Sequence, residues 1–180
     1  MAAESGPVVL PCHGKIASEK ESYAADTQPT DHLCKPDLTI FNPADPSFIA
    51  WRTAMFTLSK CSKVYMKLSG LFSEMPDSLR QRRAEDIFAG VNAWLAVVLA
   101  AFGPSRLMFG SDWPVCTVGV GKEAWLRWRK VVERMAWMAS LEEEDQAMLW
   151  GGTAKKAYGV EFDEGEEEEE EDEDEDEDDD

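Results

Sequence analysis

The sequence predicts an α/β fold in which short buried strands alternate with long amphipathic helices. Three observations carry that prediction. Residues 64–68 form a short, partly β-branched apolar run, and residues 106–110, Arg106-Leu107-Met108-Phe109-Gly110, read as a second buried strand. Between them runs a helix-period apolar stripe, and a second such stripe follows the later run. Strands separated by long helices pair in parallel through crossover connections.

The elements follow in order. Residues 1–30 mix Pro, Ser, Gly, Glu and Ala around one apolar patch, Val8-Val9-Leu10, stopped by Pro11, and are expected to be irregular. Asp45-Pro46 has the form of an N-cap followed by proline at the first helical position. It predicts a helix over 46–59 carrying Phe48, Ile49, Trp51, Met55, Phe56 and Leu58. The strand at 64–68 ends at Ser69-Gly70. In the next helix Ile87, Phe88, Val91, Trp94, Leu95, Val98, Leu99 and Phe102 recur at helical spacing, and Gly103-Pro104 ends it. The strand at 106–110 runs into Ser111-Asp112-Trp113-Pro114. A third long helix over about 122–139 places Trp125, Trp128, Val132 and Met135 on one face. Ser140-Leu141-Glu142-Glu143 matches a capping box. It predicts a short helix to Trp150, halted by Gly151-Gly152, with Thr153 capping a last turn through Tyr158.

Charge is distributed unevenly over the 180 residues. Of the 18 residues 163–180, 17 are Asp or Glu; taking these from 36 acidic residues leaves 19 against 18 Lys and Arg, so residues 1–162 carry about −1 of the formal −18. A near-neutral body offers no phosphate-neutralising surface, which argues against nucleic-acid binding. The acidic extension at 161–180 cannot bury itself and reads as a disordered, solubilising tail, with contact to basic partners as the functional alternative. No continuous apolar run reaches the ~18 residues of a membrane span, and no secretory signal is visible at Met1. Cys12, Cys34, Cys61 and Cys116 form no compact framework, so thiols in the cytoplasm are the expectation.

In a parallel α/β barrel, reactive groups stand at the C-terminal ends of strands and in the loops that follow. Two stretches qualify, Lys67-Leu68-Ser69-Gly70 and Phe109-Gly110-Ser111-Asp112-Trp113-Pro114. Asp112 follows an apolar strand and a glycine, where a carboxylate can take a proton from water or bind a metal. Capping the next segment, or pairing with Arg106, is the structural alternative.

Four stretches occur in order: Asp31-His32-Leu33-Cys34-Lys35-Pro36, residues 65–70, residues 102–115, and Gly152-Thr153-Ala154-Lys155-Lys156-Ala157-Tyr158. Together they resemble the amidohydrolase-2 (amidohydrolase-related) family, in the branch containing fuconolactonase and the pyrone-dicarboxylate lactonase. The resemblance implies a distorted (β/α)8 barrel of the metal-dependent hydrolase type that hydrolyses a small lactone. It implies that Asp112 is the general base on water and that His32 contacts substrate or metal. Lys67 and Ser69 would line the same cavity, while Trp113 would either shape the site or pack beneath it.

The chain also departs from the family. The Asp-x-His-x-His signature that supplies two metal-directed imidazoles is absent, and His13 and His32 are the only histidines. His13 matches nothing in the pattern and reads as a solvated loop residue. No residue is therefore assigned to a metal, although a complete barrel of this kind can hold one divalent ion such as zinc, and some lactonases of the branch use none. The polar stretch 24–30, broken by Pro29, gives His32 no preceding strand and places it on a mobile loop. A (β/α)8 barrel takes about 250 residues. Removing the first 30 and last 18 of 180 residues leaves 132. The expectation is therefore a partial, C-terminal half barrel over 31–160, flanked by disordered ends. It would be a truncated gene, an incomplete gene prediction, or a piece that needs a partner. The partners expected are a small-molecule substrate and a second copy or full-length paralogue, with no nucleic acid and no membrane. A non-catalytic remnant of the enzyme is the alternative function.

Overall fold

The computed structural model describes residues 32–40 and 42–160. The expectations for 1–30, including His13 and the stretch before His32, and for the acidic residues beyond 160 lie outside the described residues.

Helix α1 spans Pro46–Leu58, and Asp45 caps it by accepting from Ser47 N at 2.9 Å and Ser47 Oγ at 2.6 Å. Only Phe48, Trp51 and Met55 are buried along it, whereas Ile49 and Phe56 stay exposed, so α1 packs through one narrow stripe. Strand β1 is Met66–Leu68. Two single-turn helices that the sequence did not announce follow, α2 at Leu71–Glu74 and α3 at Asp77–Arg80. Helix α4 covers Ala84–Phe102 with the expected face buried and Gly103 at its C-cap. A 3-10 turn at Pro104–Arg106 leads into strand β2, Leu107–Phe109. A second such turn, Val115–Thr117, precedes α5 at Ala124–Met138. The described chain closes with α6 at Glu143–Ala147 and α7 at Thr153–Tyr158.

Strands β1 and β2 pair in parallel, with Met66 opposite Leu107, Lys67 opposite Met108 and Leu68 opposite Phe109. Alternation along the strands then sorts the side chains. Met66, Leu68 and Leu107 join the main core with α1, α4 and α5, whereas Tyr65 and Met108 pack on Ala157 of α7. The main core is rich in aromatic groups: Trp94 of α4 meets Phe48 and Trp51 of α1 edge-on, at ring-centre distances of 4.5 and 4.8 Å. Such pairs contribute about 0.5–1.5 kcal/mol beyond burial. Two buried indoles also tie elements together. Trp128 Nε1 donates to Leu68 O at 2.9 Å, fixing α5 to the end of β1, and Trp51 Nε1 donates to Leu33 O at 3.1 Å.

Several expectations are corrected. Trp125 does not share the buried face of Trp128 and Met135 but is 43% exposed. The capping box does not form. Ser140 adopts φ 51° and ends α5 in a Schellman turn, with its N–H bonded to Trp137 O and that of Leu141 to Ala136 O, both at 3.0 Å. Glu142 then takes the N-cap position of α6 with no side-chain bond. Gly151-Gly152 does not halt the helix; a π-helical turn at Met148–Gly152 carries it into α7. Thr153 caps nothing: it is buried, and its hydroxyl donates to Pro104 O at 3.3 Å. Finally, α4 is long and apolar enough by composition to cross a membrane, although no continuous apolar run in it is. Its apolar face is spent on the core, as in the central helix of a globular domain.

Candidate active site at the ends of the two strands

The strands end on Ser69-Gly70 and Gly110-Ser111-Asp112, and the N–H of Gly110 bonds Leu68 O at 3.2 Å, extending the ladder by one step. At this end opens a cleft of about 300 Å³ lined by His32, Lys67, Ser69, Gly110, Asp112 and Tyr158, among others. Asp112 sits in the left-handed region, φ 60°, where the chain turns off β2. Its side chain is only 11% exposed and its Oδ1 lies 3.4 Å from His32 Nε2. It does not pair with Arg106, whose guanidinium is committed to the carbonyls of Ser59, Cys61, Ala101 and Phe102.

His32 is held rather than loose. It opens a run of four residues with positive φ, His32 to Lys35, at 50°, 54°, 53° and 44°. Left-handed backbone costs an L-residue roughly 1–2 kcal/mol, so such a run persists only where its surroundings impose it. Fully buried Leu33 and the Trp51 bond to its carbonyl do so here. The ring is seated 2.9 Å from Ser69 Oγ through Nδ1. Gly70 makes room for it, since a Cβ there would lie 2.6 Å from His32 Cβ, Cγ and Nδ1.

The other expected residues divide. Ser69 borders the cleft but is 2% exposed and bonded to His32. Lys67 lines the cleft with its Nζ 5.8 Å from the centre of the Tyr158 ring. Trp113 neither lines the cleft nor packs beneath Asp112; it is 72% exposed on the loop beyond a bond from its N–H to Ser111 Oγ. Sequence reasoning missed Tyr158 and Cys116. Cys116 N–H bonds Asp112 O at 2.8 Å, and the buried thiol is pushed above its ordinary pKa by desolvation and by the charge of Asp112. A second cleft, of about 330 Å³, lies where α4 and α5 begin, lined by Arg82, Arg83, Arg127 and Lys130 with Glu85 and Glu123. Its charges are of mixed sign and its lining has no His, Ser, Thr or Cys, so the cleft at the strand ends is the candidate site.

A zinc-type centre needs about four donors. His32 and Asp112 supply two, and among the described residues no group of three His, Cys, Asp or Glu could hold an ion. The described donors do not fit such a metal, and no step is routed through one.

A model of the amidohydrolase family matches residues 30–160. The chain is 40% identical over 130 residues to an L-fucono-1,5-lactonase of Burkholderia multivorans, across 72% of this chain and 42% of that protein. It is 33% identical over 140 residues to an L-rhamnono-gamma-lactonase of Scheffersomyces stipitis, across 72% and 40%. A crystal structure of a Burkholderia multivorans amidohydrolase with bound HEPES superposes with a TM-score of 0.64 at 38% identity, over 74% of this chain and 45% of that one. The same amidohydrolase with bound zinc gives 0.63 at 38%, over 74% and 44%. The chain thus spans well under half the length of the curated relatives it matches.

Proposed function

From the premise that the chain belongs to the amidohydrolase family, we propose that it carries the water-activating part of a lactonase acting on a small cyclic ester. The observation that carries this reading is the Asp112 carboxylate, presented at the end of β2 into a cleft and against an imidazole. Asp112 removes a proton from water as the oxygen attacks the ring carbonyl. The tetrahedral adduct collapses with cleavage of the ring C–O bond, and the proton held by Asp112 passes to the departing alkoxide. The product is the open hydroxy acid, with all atoms of lactone and water accounted for. Lys67 lines the same cleft, and on this reading its charge attracts the developing negative oxygen. Sugar-acid lactones are the first substrates to try, because the two curated relatives are named for them.

Asp112→Asn tests the reading. It keeps the shape and removes the base, so turnover should fall about 10²–10⁴-fold with an unchanged circular dichroism spectrum. Turnover equal to the parent would refute the assignment.

A second reading rests on a different observation. The chain covers 42% of the fuconolactonase, and among the described residues its sheet has two strands. On this reading residues 31–160 are the C-terminal half of a barrel that associates with another copy or a longer paralogue and has no turnover alone. Absence of activity against a lactone panel, together with association on raising concentration, supports it; an active monomer excludes it.

A further inference from the structure

Ser69 looks at first like a nucleophile, since Ser69, His32 and Asp112 lie in line. Its burial argues against that role: the residue is 2% exposed at the border of the cleft, and its hydroxyl is bonded to the imidazole. What remains is a question about one proton. Neutral imidazole has one N–H and one bare nitrogen, while a serine hydroxyl can either donate or accept. If His32 Nδ1 donated to Ser69 Oγ, the bare lone pair of Nε2 would face the anionic Oδ1 of Asp112 at 3.4 Å, which is repulsive. If Ser69 donates to Nδ1, the proton resides on Nε2 and points at the carboxylate, and both contacts are favourable.

We propose that Ser69 is a positioning residue: its buried hydroxyl donates to His32 Nδ1 and so fixes the direction of the ring, in the Nε2-protonated tautomer that the Asp112 carboxylate selects. This deepens the reading of Asp112 as the base. The Nε2–H then fixes one carboxylate oxygen and stabilises its charge, and an orienting partner on a functional histidine sets tautomer and ring direction together. Two glycines build the seat. Gly70 admits the ring, and Gly110 lies so close that a Cβ on it would be 3.1 Å from Ser69 Cβ.

The sequence makes the test unusually clean, because His13 and His32 are the only histidines. The full chain, labelled with 15N-histidine, is studied by long-range 1H–15N correlation at about pH 8.5, above the ordinary histidine range. His32 is identified by the resonance lost in His32→Gln. The expected wild-type pattern has a protonated Nε2 and a bare Nδ1. In Ser69→Ala the Nδ1 resonance of His32 should move downfield as its hydrogen bond is lost, while Nε2, still facing Asp112, stays protonated. A wild-type His32 protonated on Nδ1, or a Ser69→Ala spectrum in which the Nδ1 shift of His32 does not move, overturns the proposal. The wild-type measurement decides even if Ser69→Ala does not fold. The readout needs no turnover, so failure of the lactonase reading and failure of this one are separately visible.

Discussion

Gly70 shows how much of this site depends on what a residue lacks. It stands at φ 71° beside the His32 ring. Gly70→Ala therefore meets two penalties, a left-handed alanine at roughly 1–2 kcal/mol and a methyl group inside contact distance of the imidazole. The expected outcome is a free energy of unfolding in urea lower by at least about 1–2 kcal/mol, together with a displaced His32, read from its ring nitrogen shifts; a variant of parental stability would contradict the geometry. Cys116 reports on Asp112 from the other side. Burial and the nearby carboxylate raise its pKa above the usual 9.0. As pH climbs, the unfolded thiol therefore ionises before the folded one, so the stability it contributes is intact below about 9 and is lost above it. Asp112→Asn removes part of that rise, so alkylation of Cys116 at a fixed alkaline pH should quicken relative to the parent. Exposed Cys61 should react at the same rate in both, as measured by mass spectrometry of the labelled peptides.

At the scale of elements, Asp45 and Trp128 represent two kinds of support. Asp45 caps α1 at the surface, and its bonds from the Ser47 hydroxyl and N–H lower its pKa. A depressed carboxylate stabilises above its unfolded pKa, and that contribution disappears as pH falls through the folded value. Asp45→Ala should therefore lower the thermal midpoint at neutral pH and leave it closer to the parent's once the pH has fallen below the ordinary carboxylate range. Trp128→Phe removes a buried donor from Leu68 O while Gly110 N–H still reaches that oxygen, so a loss of about 1–2 kcal/mol in urea unfolding is expected. The elements legible in the sequence were those with long periodicity or a local signature. These were α4 from its apolar stripe, α1 from Asp45-Pro46, and the two strands from their apolar runs. Single-turn α2 and α3 have too few residues to express a period. Ser140 fits a capping box and a left-handed C-terminal turn equally well, and packing of Leu141 on the core decides between them. Gly151-Gly152 reads as a stop, yet the π-helical turn runs through it, with Trp150 against Phe109 at a ring-centre distance of 4.9 Å. Asp112 and His32 were visible as motifs; their meeting was not, because it depends on four successive left-handed residues that no local propensity favours.

At the scale of the molecule, a parallel sheet is ordinarily covered on both faces and continued at both edges. One face of β1 and β2 lies on α4 and α5, and part of the other lies under α7. Among the described residues, however, no third strand continues the sheet. On the proposed half-barrel reading, the outer edge of β2 attracts a second chain through backbone hydrogen bonds and apolar contact. Each copy nonetheless carries 17 acidic residues within 163–180, and two such segments repel one another over about 10 Å at 0.1 M salt and only about 3 Å at 1 M. The two forces have opposite salt dependence, which separates them. Sedimentation equilibrium should show a weight-average mass that rises with protein concentration and rises further as salt is added. Removal of residues 163–180 should bring the low-salt mass up to the high-salt value. An association held by charge would instead weaken with salt, and a single monomeric species over a hundredfold concentration range would leave the edge-pairing idea without support. Mixing with the separately expressed N-terminal half of a lactonase relative carries this one step further: if the chain completes its sheet only with such a partner, turnover should appear in the mixture and in neither component alone.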